Sequence, residues 1–242
     1  MARQSSNGVL LVSLPKSGTH LLERAICLWP QYYRPIKPTI RKRNLEKYGG
    51  VEKIIAGIKP SQVIVSHLKF DEVVAKSIEK ESLRTIFICR DLRDVVVSFA
   101  HHVTSLKTHS QRDFFVGKSL KEKILHSMTG EENRKSIFEL FRSYQGWLDS
   151  SAFVIRFEDL VGSSGGGNQD NQRVVLEKLW NHLGLPREED KRGKIADAIF
   201  SKASPTYRSG KLGGWQDVFD DEIRETFERH GEGLLERFGY KW

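Results

Sequence analysis

Three short apolar runs, Val9–Val12, Val63–Val65 and Thr85–Cys89, and a fourth strand-like segment, Phe153–Phe157, punctuate this chain of 242 residues, and stretches of helical periodicity lie between them. Runs without polar alternation belong to strands buried on both faces, and connections this long pass over a sheet as right-handed crossovers. The expectation is an α/β fold with a central parallel sheet flanked by helices, built as a single domain over residues 1–242. In such sheets ligands bind outside the carboxyl ends of the strands. Those ends carry Lys16, His67, Arg90 and the Glu158-Asp159 pair.

The first of these ends is the most informative. Leu14-Pro15-Lys16-Ser17-Gly18-Thr19-His20 joins the first run to a helix predicted over Thr19–Leu28, with Leu21, Leu22, Ala25 and Ile26 at helical spacing. A turn in that position presents backbone N–H groups at a helix N-terminus. Gly18 permits close backbone approach, Lys16 brings a mobile positive charge, and Ser17 and Thr19 add hydroxyls, so the composition is that of a phosphate cradle. A Walker A loop places its lysine after the last glycine, whereas Lys16 precedes Gly18. An unremarkable strand-turn-helix with a polar turn is the other reading of the stretch taken alone.

The formal charge of +8 suits a polyanionic partner, whether nucleotide, nucleic acid or acidic surface. The densest basic group, Arg41-Lys42-Arg43, is too short for a nucleic-acid arm, and no aromatic-interleaved basic repeat accompanies it, so no nucleic-acid partner is expected. Cys27 and Cys89 sit among apolar residues and read as small buried hydrophobes rather than a disulfide or metal framework. Met1–Gly8 is short and polar, leaving no room for a signal peptide, and no apolar run approaches the ~20 residues of a membrane span. A cytoplasmic protein without membrane attachment is expected.

Periodicity predicts short helices over Val51–Ile58 and Ile195–Phe200, longer ones over Phe70–Glu81 and from Leu92, and one through Val174, Leu176, Leu179, Trp180 and Leu183. It also predicts an amphipathic helix over Glu132–Leu148 and a terminal helix over Asp221–Phe238. Residues 31–50 are expected to be an irregular connection, 103–130 partly ordered, and 162–170 a mobile glycine-serine loop.

Three motifs, in chain order, resemble those of sulfotransferases that use 3′-phosphoadenosine-5′-phosphosulfate (PAPS). Pro15-Lys16-Ser17-Gly18-Thr19 resembles the family's 5′-phosphosulfate loop. Arg90-Asp91-Leu92-Arg93-Asp94, with Ser98, resembles its 3′-phosphate segment, R-x-x-[RK]-D-x-x-x-S. Arg208-Ser209-Gly210-Lys211-Leu212-Gly213-Gly214-Trp215 resembles its R-K-G-x-x-G-x-W, with Ser209 in place of the usual lysine. The Arg90 segment taken alone also reads as a helix start with an ion pair. His67, in Val65-Ser66-His67-Leu68-Lys69, matches the histidine of the family's K-T-H-L-P segment, with Val65 where the lysine stands. His20 follows Thr19 where a second hydroxyl residue is common, and either touches the phosphosulfate or packs at the helix start. Phe157 replaces the tyrosine of Y-E-D, retaining a ring but no hydroxyl.

The resemblance implies a P-loop-like three-layer sandwich and an enzyme transferring a sulfuryl group from PAPS, without a metal, to a hydroxyl or amine of a small-molecule acceptor. His67 would be the general base, with His109 of Lys107-Thr108-His109 the alternative, and Lys16 would stabilise the leaving phosphate. Lys16, Ser17, Gly18, Thr19, His20 and Phe157 would line the phosphosulfate end. Arg90, Ser98, Arg208, Ser209 and Gly210 would hold the 3′-phosphate. Two other readings stay open: a P-loop nucleotide or small-molecule kinase, and a non-catalytic nucleotide- or RNA-binding module. A protein kinase is not expected, since Cys89-Arg90-Asp91-Leu92 lacks the histidine and the metal-binding Asn of that loop. Residues 31–50 and 103–130 are expected to shape the acceptor pocket; the sequence assigns no oligomeric state.

Overall fold

The computed structural model describes residues 7–131, 134–200 and 212–242. In chain order its regular elements are β1 (Val9–Ser13), α1 (Thr19–Cys27), α2 (Val51–Ala56), β2 (Val63–Ser66), α3 (Glu72–Lys80), β3 (Arg84–Cys89), α4 (Leu92–Ser105), α5 (Arg112–Phe115), α6 (Leu120–Thr129) and α7 (Ile137–Arg142). β4 (Phe153–Arg156), α8 (Phe157–Leu160), α9 (Gln169–His182), α10 (Glu189–Ile199), α11 (Asp221–His230) and α12 (Leu234–Arg237) follow. These residues fall into two compact units, one running to Cys89 and resuming at Gly146, the other comprising Arg90–Gln145 and Leu212–Trp242.

The first unit contains the sheet, whose strands are all parallel in the order β2-β1-β3-β4. Leu11 pairs with Val65 on one side and Ile86 on the other, and Ile88 pairs with Ile155. Because the chain moves outward from β1 to β2 and then returns across β1 to β3, the order reverses at the β1–β3 crevice, the place where such sheets bind ligands. Val9, Leu11, Val63, Val65, Ile86 and Ile88 share one face and pack with Leu22 and Ile26 of α1 and Leu176, Leu179 and Trp180 of α9. Leu10, Val12 and Phe87, which alternate to the other face, are also fully buried, so the central strands β1 and β3 are covered on both sides as their apolar runs require, while the edge strand β4 is only partly buried.

Polar bonds tie α1 to that packing. Trp180 donates its indole N–H to the Ala25 carbonyl at 3.3 Å and meets Trp29 edge-on at 5.5 Å. Arg24 donates to the Ile199 and Ala198 carbonyls at the end of α10, satisfying acceptors that a helix terminus leaves open. The helix that follows the Lys16 loop is therefore held in its C-terminal half.

In the second unit α4 packs against α6, and α6 against α11. Phe138 of α7 meets Phe227 of α11 at 5.1 Å, edge to face. Residues 103–130 are more ordered than expected: α5 and α6 form there, and Ser119 and Glu122 make a reciprocal capping box at the start of α6, a signal that S-x-x-E carries in the sequence.

The amphipathic stretch 132–148 is not one helix. Ser136 caps α7, which ends at Arg142, and a separate 3₁₀ turn, Gln145–Leu148, follows. Its periodicity persists because both pieces bury apolar side chains, Phe141 in one unit and Trp147 in the other. The terminal helix likewise breaks between α11 and α12 around Gly231 and Gly233. Residues 162–170 hold a 3₁₀ turn, Ser163–Gly165, and then Asn168, whose side chain caps α9. Among the described residues no helix is long and apolar enough to cross a membrane.

Candidate active site

The loop between β1 and α1 adopts a backbone that few residues tolerate. Lys16 has φ 72° and Gly18 φ 87°, two positive-φ residues flanking Ser17. Such alternation turns successive N–H groups toward a common point. A Cβ on Gly18 would lie 2.3 Å from the Phe157 ring, so glycine is required both by conformation and by the aromatic packed over it.

The N-terminus of α1 is left without internal compensation. No side chain caps it and its first turn holds no acidic residue. The N–H groups of Gly18, Thr19 and His20 make no hydrogen bond to another described residue. Ser17 is fully buried, and its hydroxyl has no partner among the described residues. An uncapped helix dipole, three open donors and an orphaned buried hydroxyl beside Lys16 together fit an anionic group.

Ser13 organises the rest of this end of the sheet. Its hydroxyl donates to the Leu14 carbonyl at 2.9 Å, so at the 2.7 Å contact with Thr19 the threonine hydroxyl is the donor. Thr19 therefore has its backbone N–H, not its side-chain proton, to offer an anion. The Ser13 carbonyl lies 2.9 Å from Nδ1 of His67. A carbonyl only accepts, so Nδ1 carries the hydrogen and Nε2 of the neutral ring is an open lone pair.

Burial pushes the His67 imidazole down to about 4, aided by the charges of Arg41, His20 and Lys16 and opposed by the bond to Ser13. At neutral pH the ring is thus in its basic form. Arg41, which sequence reasoning left without a role, is brought there by backbone pairing. Ile40 bridges Ser66, its N–H donates to the Val65 carbonyl, and its carbonyl accepts from the His67 N–H at 2.8 Å. The next residue, Arg41, then stands across from His67. The only sequence signal was the basic run it begins.

His20 lies 3.5 Å from Glu23, which also pairs with Arg34 at 2.6 Å. Burial works to raise the Glu23 carboxyl, but the hydrogen bonds from His20 and Arg34 prevail and hold it below its usual range. Phe157, the first residue of α8, is buried against Gly18.

Arg90 and Ser98 belong to the second unit. Arg90 follows β3 directly in the chain and pairs with Asp94 at 2.9 Å; Ser98 lies one turn beyond Asp94 on the same face of α4. Arg208, Ser209 and Gly210 lie outside the described residues. His109 differs from His67 in its chemistry, because its Nδ1 accepts the Gln111 N–H at 3.2 Å and the proton of the neutral ring must then sit on Nε2. No strand precedes it.

Residues 6–239 match the family model of the sulfotransferase domain. Rat sulfotransferase 1E1 is 24% identical over 92% of this chain and 81% of its own length. Human sulfotransferase 4A1 is 25% identical over 91% and 77%. In fold the chain resembles mouse sulfotransferase SULT7A1, solved in complex with PAP, at a TM-score of 0.68 and 20% identity over 94% of this chain and 83% of that one. With a family match that runs through both units, the chain belongs to the sulfotransferases, enzymes that transfer a sulfuryl group from PAPS.

Proposed function

We propose that His67 is the general base of this sulfotransferase and that Lys16, Ser17, Gly18, Thr19 and His20 receive the phosphosulfate end of PAPS. The observation that carries the reading is the bond from His67 Nδ1 to the Ser13 carbonyl, which leaves Nε2 as the proton acceptor at the same end of the sheet as the open N–H groups of the Lys16 loop. Ser17 contributes its buried hydroxyl, and Gly18 and Thr19 their N–H groups. Phe157 holds the loop from behind. Arg90, Ser98, Arg208, Ser209 and Gly210 take the 3′-phosphate, and the whole chain works as one sulfotransferase domain.

In this reading the acceptor, a small molecule with a hydroxyl or amine, gives its proton to His67 as its oxygen or nitrogen bonds to sulfur. The sulfur–oxygen bond to the 5′-phosphate breaks, and 3′,5′-bisphosphoadenosine departs with that electron pair. Positioning and charge stabilisation are the protein's part, so Lys16 and the open N–H groups matter most as charge builds on the leaving oxygen. A cytoplasmic setting agrees with Cys27 and Cys89, both free and both with thiols pushed up to about 12 by burial.

Calorimetric titration separates this reading from kinase and RNA-binding alternatives. 3′,5′-bisphosphoadenosine should bind without magnesium and more tightly than ATP or a short RNA. Arg90→Ala should weaken the bisphosphate far more than adenosine 5′-monophosphate. Preference for ATP with magnesium, or equal losses for both adenosine ligands, contradicts the assignment.

A further inference from the structure

The segment Arg90-Asp91-Leu92-Arg93-Asp94 contains two arginines and two aspartates, and the structure divides them into separate pairs. Asp91 takes Arg93 through both oxygens, Nε to Oδ1 at 2.9 Å and Nη2 to Oδ2 at 2.7 Å. That buried guanidinium also lies over the Trp215 indole, 3.9 Å from the ring centre. Arg93 is thereby committed to packing.

Asp94 is used differently. Its side chain is 3% exposed and gathers three donors. Oδ2 accepts from Arg90 Nη2 at 2.9 Å and from the Gly213 N–H at 3.1 Å, while Oδ1 accepts from the Trp215 N–H at 3.0 Å. Two of those donors are backbone groups of the turn with which the chain continues after Arg208-Ser209-Gly210, and the third is the arginine assigned to the 3′-phosphate. A carboxylate this buried is stable only when its lone pairs are filled, so each donor is held in place by the cost of losing it. Asparagine would keep the shape but present an amide N–H₂ to one side of a site that supplies only donors.

We propose that Asp94 is a positioning residue for 3′-phosphate recognition: one carboxylate orients the Arg90 guanidinium and anchors the Gly213–Trp215 turn. It makes no contact with the donor nucleotide itself and acts through Arg90 and the turn. The inference rests on the assignment of Arg90 to the 3′-phosphate.

The test compares wild type, Asp94→Asn, Arg90→Ala and the double variant for binding of 3′,5′-bisphosphoadenosine and adenosine 5′-monophosphate. Asp94→Asn should weaken bisphosphate binding about tenfold or more, as loss of charge-assisted hydrogen bonds does, and monophosphate binding by less than about threefold. The double variant should lose little beyond Arg90→Ala, since both act on one contact. A role confined to stability would lower the unfolding temperature and leave the ratio of the two affinities unchanged, which overturns the proposal. If Arg90→Ala leaves that ratio intact, the 3′-phosphate assignment itself has failed; if only Asp94→Asn leaves it intact, the failure is of the Asp94 inference alone. Asp94→Glu, which keeps the charge and displaces it by one methylene, carries the same comparison should the asparagine variant not fold.

Discussion

His67 and Ser13 are joined by a side-chain-to-backbone hydrogen bond of 2.9 Å across the ends of β2 and β1, and that bond decides which nitrogen of the imidazole is basic. Because the acceptor is a backbone carbonyl, no side-chain substitution removes it. Burial lowers the ring from 6.5 to about 4, so the folded protein resists protonation where the unfolded chain accepts it. Stability from this group is complete above pH 6.5 and is lost as pH falls through the window down to about 4. His67→Gln should remove that pH dependence, worth about 1–3 kcal/mol between the two limits. Unfolding curves at pH 7.5, 5.5 and 4.5 check it, and parallel slopes for both proteins would show the ring is not buried neutral.

Lys16 carries a charge on a backbone conformation that glycine adopts more readily. Lys16→Gly should therefore leave stability within about 1 kcal/mol of wild type, the relief of a left-handed residue offsetting the added chain entropy. Turnover should fall by about a hundredfold or more, the usual loss when a charge aimed at a leaving oxygen is removed. Thermal unfolding and steady-state rates on the same preparation separate backbone from charge.

Gly18 and Phe157 are matched in shape. Gly18→Ala places a methyl group 2.3 Å from the ring at φ 87°, and should cost about 1–3 kcal/mol while weakening donor binding. Adding Phe157→Leu should restore part of the stability. No restoration would locate the whole cost in the backbone.

Arg41 stands across from His67 and holds its proton affinity down. Arg41→Met should raise the His67 titration midpoint by about half a unit to one unit, read from the imidazole proton resonance. It should also slow turnover, since Val65 supplies no cation at the base. An unmoved midpoint would mean that the two charges do not sense each other.

The sheet was legible because its first three runs are apolar without alternation, the pattern of strands buried on both faces, whereas the edge strand β4 is only partly buried and ends at the exposed Arg156; the candidate cradle was legible because Lys16, Ser17 and Gly18 follow the first of those runs. What stayed hidden depends on contacts distant in sequence. Arg41 reaches His67 through the bridge between Ile40 and Ser66, which no local pattern announces. Ser13 falls between the first apolar run and the loop and carries no sequence signal of its own, yet its carbonyl and hydroxyl fix both His67 and Thr19. The helices over 132–148 and 221–238 were drawn too long because periodicity reports burial, not continuity. Ser136 and the Gly231–Gly233 pair were the breaks to weigh against it. For the α6 capping box the signal was present at Ser119 and Glu122.

The most direct measurement follows sulfur-labelled PAPS in a single turnover with a hydroxyl or amine acceptor taken from a library, comparing wild type with His67→Ala. Wild type should pass the label to the acceptor and release 3′,5′-bisphosphoadenosine without added metal. His67→Ala should bind that nucleotide within about threefold of wild type and transfer no label above background. Label transfer by His67→Ala at the wild-type rate would contradict the assignment of the proton to Nε2 of His67.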